Sequence, residues 1–310
     1  MTPPVVSIVL PTFNGASTLP AVLDGISRQR VDFRTELVAV DSSSTDGTAD
    51  LLQGRVERLI SISNEDFNHG LTRNLGIEHT KGELIVMLVQ DAVPASDRWL
   101  AELVHPLLVD GRVAGSFARQ RPRPDASTVV RYYLERWIAG SDTARTMAVS
   151  SEAELSALEP MAQLELCAFD NVCSCIRRSV WKHHPFRSTV IAEDIEWARE
   201  VLLAGYKLAY APQAEVIHSH DRSASSEFVR TYNLHRRLYE LFRLRTIPTL
   251  PLLARAIVSS LAVHRRCLAR AAAREPRRRA IGLALAWPLG QYLGALAAAK
   301  GWKPIRPRVA

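Results

Sequence analysis

Chemistry in this 310-residue chain would fall to a few scattered side chains. Asp41 closes the apolar run Leu37-Val38-Ala39-Val40, and Asp91 follows the run from Leu84 to Val89. A carboxylate at the mouth of a strand accepts hydrogen bonds either from a ligand or from its own turn, as an N-cap or Asx acid does. Glu193, Asp194 and Glu196 open a helical pattern, where the macrodipole favours acids. Asp194 borders the apolar stripe of Ile191, Ile195, Ala198 and Leu202, a position from which a carboxylate can also take a proton. His218 and His220 share a face by strand alternation, which fits a metal-ligand pair or a hydrogen-bonded loop. Arg73 sits in the first turns of a helix after a glycine-bearing loop; a guanidinium beside free N–H groups suits a diphosphate, and a surface arginine is the alternative.

The elements that must position these groups are short strands alternating with helices. Residues 5–10, 37–40, 59–62 and 84–89 read as buried strands, and residues 18–30, 46–52 and 71–79 as helices. Strict alternation predicts an α/β fold with a mostly parallel sheet flanked by helices, whose ligands bind at the carboxyl rim. Polar turn residues follow each of the four strands: Pro11-Thr12-Phe13-Asn14-Gly15, Asp41 to Gly47, Asn64 to Gly70, and Gln90-Asp91-Ala92-Val93-Pro94. No glycine fingerprint for a dinucleotide follows the first strand and no P-loop is present. Further on, residues 128–138 read as helix, Asp170 to Ile176 as loop then strand, residues 191–204 as a helix stopped by Gly205, and residues 206–210 and 214–217 as short strands.

With 47% hydrophobic and 23% charged residues, wholesale disorder and a multi-span membrane protein are excluded. Four cysteines make no disulfide framework, and Cys173 and Cys175 lack a second Cys/His pair for zinc, so buried thiols are expected. The N-terminus shows no basic n-region or cleavage site, so no secretory signal is expected. The formal charge of +7 is unevenly spread: residues 245–310 hold thirteen Lys/Arg against Glu275, a net +12, so residues 1–244 carry −5. Residues 281–299 contain no charge but are interrupted by Gly282, Pro288, Gly290, Gln291 and Gly294. That pattern predicts an acidic body over residues 1–244 and a helical, membrane-associating segment over 245–310. Arg277, Arg278, Arg279, Lys300 and Lys303 would touch anionic headgroups; a helical domain packed on the body is the alternative. No nucleic-acid partner is expected.

The motifs Pro11-Thr12-Phe13-Asn14, Val40 to Gly47, Phe67-Asn68-His69-Gly70-Leu71-Thr72-Arg73-Asn74-Leu75-Gly76, Gln90 to Pro94 and Ala192-Glu193-Asp194-Ile195-Glu196-Trp197 occur in that order. Over about residues 5–240 the chain resembles the family 2 glycosyltransferases of the GT-A fold, most of all the bacterial rhamnosyltransferase-like members. The resemblance implies an inverting enzyme that moves a sugar from a nucleotide-diphosphate donor, with dTDP-rhamnose favoured and a UDP-sugar possible. The acceptor it implies is a saccharide, lipid-linked, in bacterial surface polysaccharide synthesis at the cytoplasmic face of the membrane. Pro11, Thr12, Asn14, Asp41, Arg73, Gln90 and Asp91 would hold the donor, and Asp194 would be the general base. Glu193 and Trp197 would meet the acceptor, and Asp91 with His218 or His220 would bind Mg2+ or Mn2+. Val89 stands where the family usually has a first acid two residues before Asp91. A sugar nucleotidyltransferase would carry a glycine-rich basic loop after the first strand, and a non-catalytic adaptor would not stabilise with any nucleotide.

Overall fold

The structure, a computed structural model, describes residues 6–270 and 277–305. Val5, Pro276 and the Arg277 side chain lie outside the described set. The chain opens with β1 (Val6–Thr12), α1 (Leu19–Ser27), β2 (Thr35–Asp41), α2 (Thr48–Leu52), β3 (Arg58–Ser61), α3 (His69–Glu78) and β4 (Leu84–Leu88). It continues through β5 (Val93–Pro94), α4 (Trp99–Val109), β6 (Val113–Arg121), α5 (Thr128–Leu134), β7 (Arg145–Met147), α6 (Glu152–Ala157) and α7 (Pro160–Leu166). Then come β8 (Cys173–Arg177), α8 (Arg178–Trp181), α9 (Glu193–Leu203) and β9 (Lys207–Ile217), and three long helices: α10 (Ala224–Phe242), α11 (Leu250–Arg270) and α12 (Arg277–Ala299).

Strand alternation divides the interior into two cores. Val6, Ile8 and Leu10 of β1 and Leu84, Val86 and Leu88 of β4 join the side covered by α1 and α4. Val9, Ile85 and Met87 point the other way, into the core shared with α9 and α10. A central strand buried on both faces reads as a continuous apolar run, which is why these strands were legible.

The sheet order is β3-β2-β1-β4-β8-β6-β9-β5, with β7 on β9. The β3-β2-β1-β4 half is parallel as expected. Beyond β4 the sheet is mixed: β8 runs antiparallel to both β4 and β6, while β6 and β9 are parallel. This antiparallel insertion puts the amino end of β8, with Asp170 and Asn171 before it, at the rim where β1, β2, β4, β6 and β9 finish. The two strands expected at 206–210 and 214–217 are one strand, β9. Its register against β6 jumps from Ala118↔Ala211 to Arg119↔Glu215, a bulge that takes up the intervening residues, Pro212 among them. Strand β6 had no clear sequence signal: Gly115 interrupts it, and there a Cβ would stand 3.0 Å from both the Cys175 carbonyl and the Phe169 ring.

Helix α12 lies against α10 rather than standing free. A Cβ at Gly294 would fall 2.2 Å from the Tyr232 carbonyl, so glycine there permits the close crossing. By length and composition Arg278–Ala299 could cross a membrane, yet half of its most apolar window is buried inside the molecule. Arg279, expected at headgroups, instead pairs with Asp221 at 2.6 Å. All four cysteines are free and buried, and burial pushes the thiols of Cys167 and Cys175 up to about 12.

Candidate active site

Three neighbouring clusters of side chains occupy the rim. In the first, Asp41 ends β2, is 3% exposed, and ties two loops together. Its Oδ1 accepts from Thr12 Oγ1 at 2.8 Å and Ser44 Oγ at 2.6 Å, and its Oδ2 accepts from the Ser44 N–H at 2.9 Å. Asn14 Oδ1 accepts from the Thr45 N–H at 2.9 Å. Asn14 (φ 46°) and Ser43 (φ 61°) both adopt left-handed backbone, strain that persists where surrounding contacts over-determine a loop. Gln90 makes a reciprocal pair with the Phe13 backbone, its Oε1 accepting and its Nε2 donating at 2.8 Å. A Cβ at Gly15 would come within 2.3 Å of Gln90 Oε1, so a larger residue there would displace the Gln90 amide. Gln90 therefore holds the β1 loop with its own amide, while Pro11 lies half-buried within β1 opposite Val40.

In the second cluster, Asp91, His218 and His220 bring their ligand atoms within 4.8 Å of one another. Asp91 Oδ1 is 3.7 Å from His218 Nε2, Asp91 Oδ2 is 3.4 Å from His220 Nε2, and the two Nε2 atoms are 3.0 Å apart. Burial, with Arg222 and Arg230 adding to it, holds His218 down at about 3; burial and His218 hold His220 down at about 4. Both rings are thus neutral near pH 7, the form that ligates metal. One carboxylate and two imidazoles fit a divalent cation, and the nitrogen donors suit Mn2+ better than Mg2+, which favours oxygen.

The third cluster centres on Asp194. Ala192, left-handed at φ 63°, turns the chain into α9 and presents Glu193 and Asp194 to the rim. Asp194 Oδ2 accepts from the Asn171 N–H at 3.2 Å and Oδ1 from the Ile195 N–H at 2.8 Å. Burial, then the neighbouring Glu193 and Asp170 carboxylates, push Asp194 up to about 8. A carboxyl so displaced is suited to proton transfer near neutral pH. Its link to the second cluster runs through Asp170, next to Asn171, which accepts from Gln120 Nε2; Gln120 Oε1 lies 2.8 Å from His218 Nδ1.

Three expected ligand contacts are corrected by this geometry. Arg73 is 5% exposed, and its Nη1 donates to Glu193 Oε1 at 2.7 Å and to the His69 carbonyl at 2.9 Å. Its guanidinium is consumed by a buried pair instead of facing a diphosphate, and Glu193, 5% exposed, is consumed with it. Trp197 is 2% exposed, packs on Phe169 and Phe186, and donates to the His184 carbonyl at 2.9 Å, so it offers no sugar-stacking face.

Sequence reading missed Gln120, Asp170, Arg222 and Arg230. The charge of Arg230 is felt by His69, Asp170, His218 and His220, and that of Arg222 by both histidines. Glu227 lies between these arginines, 3.7 Å from Arg230 and 3.9 Å from Arg222, and accepts from Trp287 Nε1 of α12 at 2.9 Å. The C-terminal helix thus braces the arginines beside the metal-type triad. Among these four, only Arg222 had a local signal, its position just after the histidine pair.

The mixed sheet flanked by helices, with its polar rim, is a GT-A fold. Residues 7–148 match the family model described as glycosyl transferase family 2. The chain is 31% identical over 235 residues to the O-antigen chain rhamnosyltransferase RfbN of Salmonella typhimurium, covering 74% of this chain and 70% of that protein. It is 29% identical over 234 residues to the O-antigen chain rhamnosyltransferase WbaN of Salmonella anatum, covering 74% and 71%. Among solved structures, a mannosyltransferase from Pyrobaculum calidifontis in complex with GDP-Man and Mn2+ aligns with TM-score 0.56 at 22% identity, over 98% of this chain and 77% of that one. Glucosyl-3-phosphoglycerate synthase from Mycobacterium tuberculosis, with Mn2+, UDP and glucosyl-3-phosphoglycerate, aligns with TM-score 0.56 at 19% identity, over 78% and 81%. The chain belongs to glycosyltransferase family 2, in its bacterial rhamnosyltransferase-like branch, and is a glycosyltransferase.

Proposed function

We propose that the protein is an inverting rhamnosyltransferase of bacterial surface polysaccharide synthesis, using dTDP-rhamnose and a saccharide acceptor. The observation that carries the mechanism is the placement of Asp194, a carboxyl suited to proton transfer, at the same rim as Asp91, His218 and His220. Rhamnose is supported by the two Salmonella relatives.

In this reading Thr12, Asn14 and Asp41 border the nucleoside, and Asp91 with the two histidines would hold Mn2+ or Mg2+. A cation held there would supply positive charge against that building on the departing diphosphate. Arg222 and Arg230 add fixed positive charge on the same side. Asp194 accepts the acceptor's hydroxyl proton as its oxygen bonds to the sugar's anomeric carbon and the bond to the diphosphate breaks, releasing the nucleoside diphosphate. The direct test is incubation with dTDP-rhamnose, UDP-glucose and GDP-mannose in turn, with Mn2+ and rhamnose-containing acceptors. Release of dTDP with growth of the acceptor is the expected result; turnover of GDP-mannose alone would overturn the rhamnose assignment. For Arg230→Met, loss of one charge-assisted contact of about 1.5–3 kcal/mol predicts a roughly 10–100-fold higher donor KM with the fold intact, read by steady-state kinetics.

A lipid-linked acceptor is part of the same proposal, and the membrane contact it needs falls on α11. Leu250 (64% exposed), Leu252 (43%) and Val258 (67%) lie open on that helix with the exposed Arg255, Arg265 and Arg266, and its 21 residues include no acid. Three arginines at about 1 kcal/mol each near an anionic surface predict a roughly hundredfold preference for phosphatidylglycerol over phosphatidylcholine vesicles. Co-sedimentation should show it, with Val258→Glu and added salt both weakening binding. Equal partition between the two vesicle types would refute it.

A further inference from the structure

We infer that Gln120 is a positioning residue that sets the tautomer of His218, so that the Nε2 lone pair of His218 faces Asp91 and His220. The inference rests on the metal-site reading above for its purpose, and on hydrogen-bond chemistry alone for its geometry.

Gln120 projects from the end of β6, is 7% exposed, and lies between an acid and an imidazole. Its Nε2 donates to Asp170 Oδ2, and its Oε1 is 2.8 Å from His218 Nδ1. Asp170 Oδ1 already accepts the Val172 N–H at 2.9 Å, so this acid is oriented by its own loop. Burial pushes the Asp170 carboxyl up while the Val172 N–H, Arg230 and Arg73 favour its ionised form; as a carboxylate it offers only acceptors, which directs the amide NH2 of Gln120 toward Asp170 and its carbonyl oxygen toward His218. A carbonyl oxygen offers only acceptors in turn, so His218 must carry its proton on Nδ1. Its Nε2 then presents a lone pair at the point where His220 Nε2 and Asp91 converge, 3.0 Å and 3.7 Å away. Partners of this kind fix the ring and tautomer of metal-ligating histidines and command about 10–100-fold in metal affinity. In this protein the orienting group is an amide supplied by a neighbouring strand, and its anchor, Asp170, is one of the carboxylates that raise Asp194.

The test reads the tautomer directly, by nitrogen-15 NMR of the histidine rings in the metal-free, full-length protein, and then measures Mn2+ binding by calorimetry. Wild type should show His218 protonated on Nδ1. Gln120→Met, matched in length but unable to accept, should shift the proton toward Nε2 and weaken Mn2+ binding by about 10–100-fold, with the melting temperature reported alongside. Asp170→Asn frees the amide of Gln120 to turn over and should move the tautomer in the same direction, which keeps the inference open to refutation if Gln120→Met does not fold. A wild-type His218 with its proton on Nε2, or a variant with unchanged tautomer and unchanged Mn2+ affinity, overturns the inference. A wild type with the Nδ1 proton that takes up no Mn2+ overturns the metal reading of the triad, and with it the purpose assigned to Gln120, while leaving the orientation standing.

Discussion

Asp194→Asn should lower kcat by about 10²–10⁴-fold, the range a positioned general base supplies, and leave donor affinity unchanged. Asparagine preserves the size of the side chain and can accept one of the two backbone N–H groups, but its NH2 cannot accept the other and its amide cannot take a proton. Near-normal turnover would remove Asp194 from the mechanism. The pH profile gives an independent reading. Burial and two neighbouring acids hold this carboxyl up at about 8, so the active, ionised form of the free enzyme grows as pH rises through that value. In wild type, kcat/KM should therefore climb through about pH 8 and then level, a limb absent from Asp194→Asn. The linkage to stability has the opposite sign. The folded state binds this proton more tightly than the unfolded chain, whose carboxyl titrates near 3.8. Stability is greatest below that lower value and falls as pH rises toward and through about 8. Between pH 5 and pH 9 wild type should therefore lose more melting temperature than Asp194→Asn, whose amide does not titrate. The same fall in melting temperature in both proteins would contradict the burial of a charge there.

The second large effect is expected at Asp91. Asp91→Asn removes the only anionic donor from a triad whose other members are neutral imidazoles. Mn2+ affinity should fall by more than the roughly 10–100-fold that even an orienting partner of a ligand commands. Turnover should fall with it, because diphosphate departure loses its largest local charge. Chelation of wild type with EDTA should reproduce the loss, and added Mn2+ should reverse it in wild type but not in the variant. Calorimetry separates the two terms: a variant that binds Mn2+ as wild type does would show that Asp91 is a turn residue only. Its side chain stays partly open, so the substitution leaves the apolar core of β4 untouched.

Much of this site was legible because the relevant signals are local. Asp41, Gln90 and Asp91 follow apolar runs that form central strands, and the rim of a parallel sheet is where such residues gather. His218 and His220 were placed on one face by alternation alone, and they do converge with Asp91. The roles of Arg73, Glu193 and Trp197 were not legible. A motif shows that a charge is present but not whether a partner 120 residues away will neutralise it, as Glu193 neutralises Arg73. Gln120 was invisible for a similar reason: a lone amide in a glycine-broken strand carries no pattern.

The sequence by itself determined the parallel half of the sheet, the polar loops at its rim and the acidic body with its basic tail. These follow from residue periodicity, turn chemistry and charge count, which act over a few neighbours. Tertiary structure alone decided that β8 enters antiparallel and delivers Asp170 and Asn171 to the rim, and that α12 packs on α10 while α11 keeps an open face. It also decided which carboxyls are buried together, and hence that Asp170 and Asp194 are both pushed up. Those outcomes depend on desolvation and on pairing between distant segments, quantities that exist only once the chain has closed on itself.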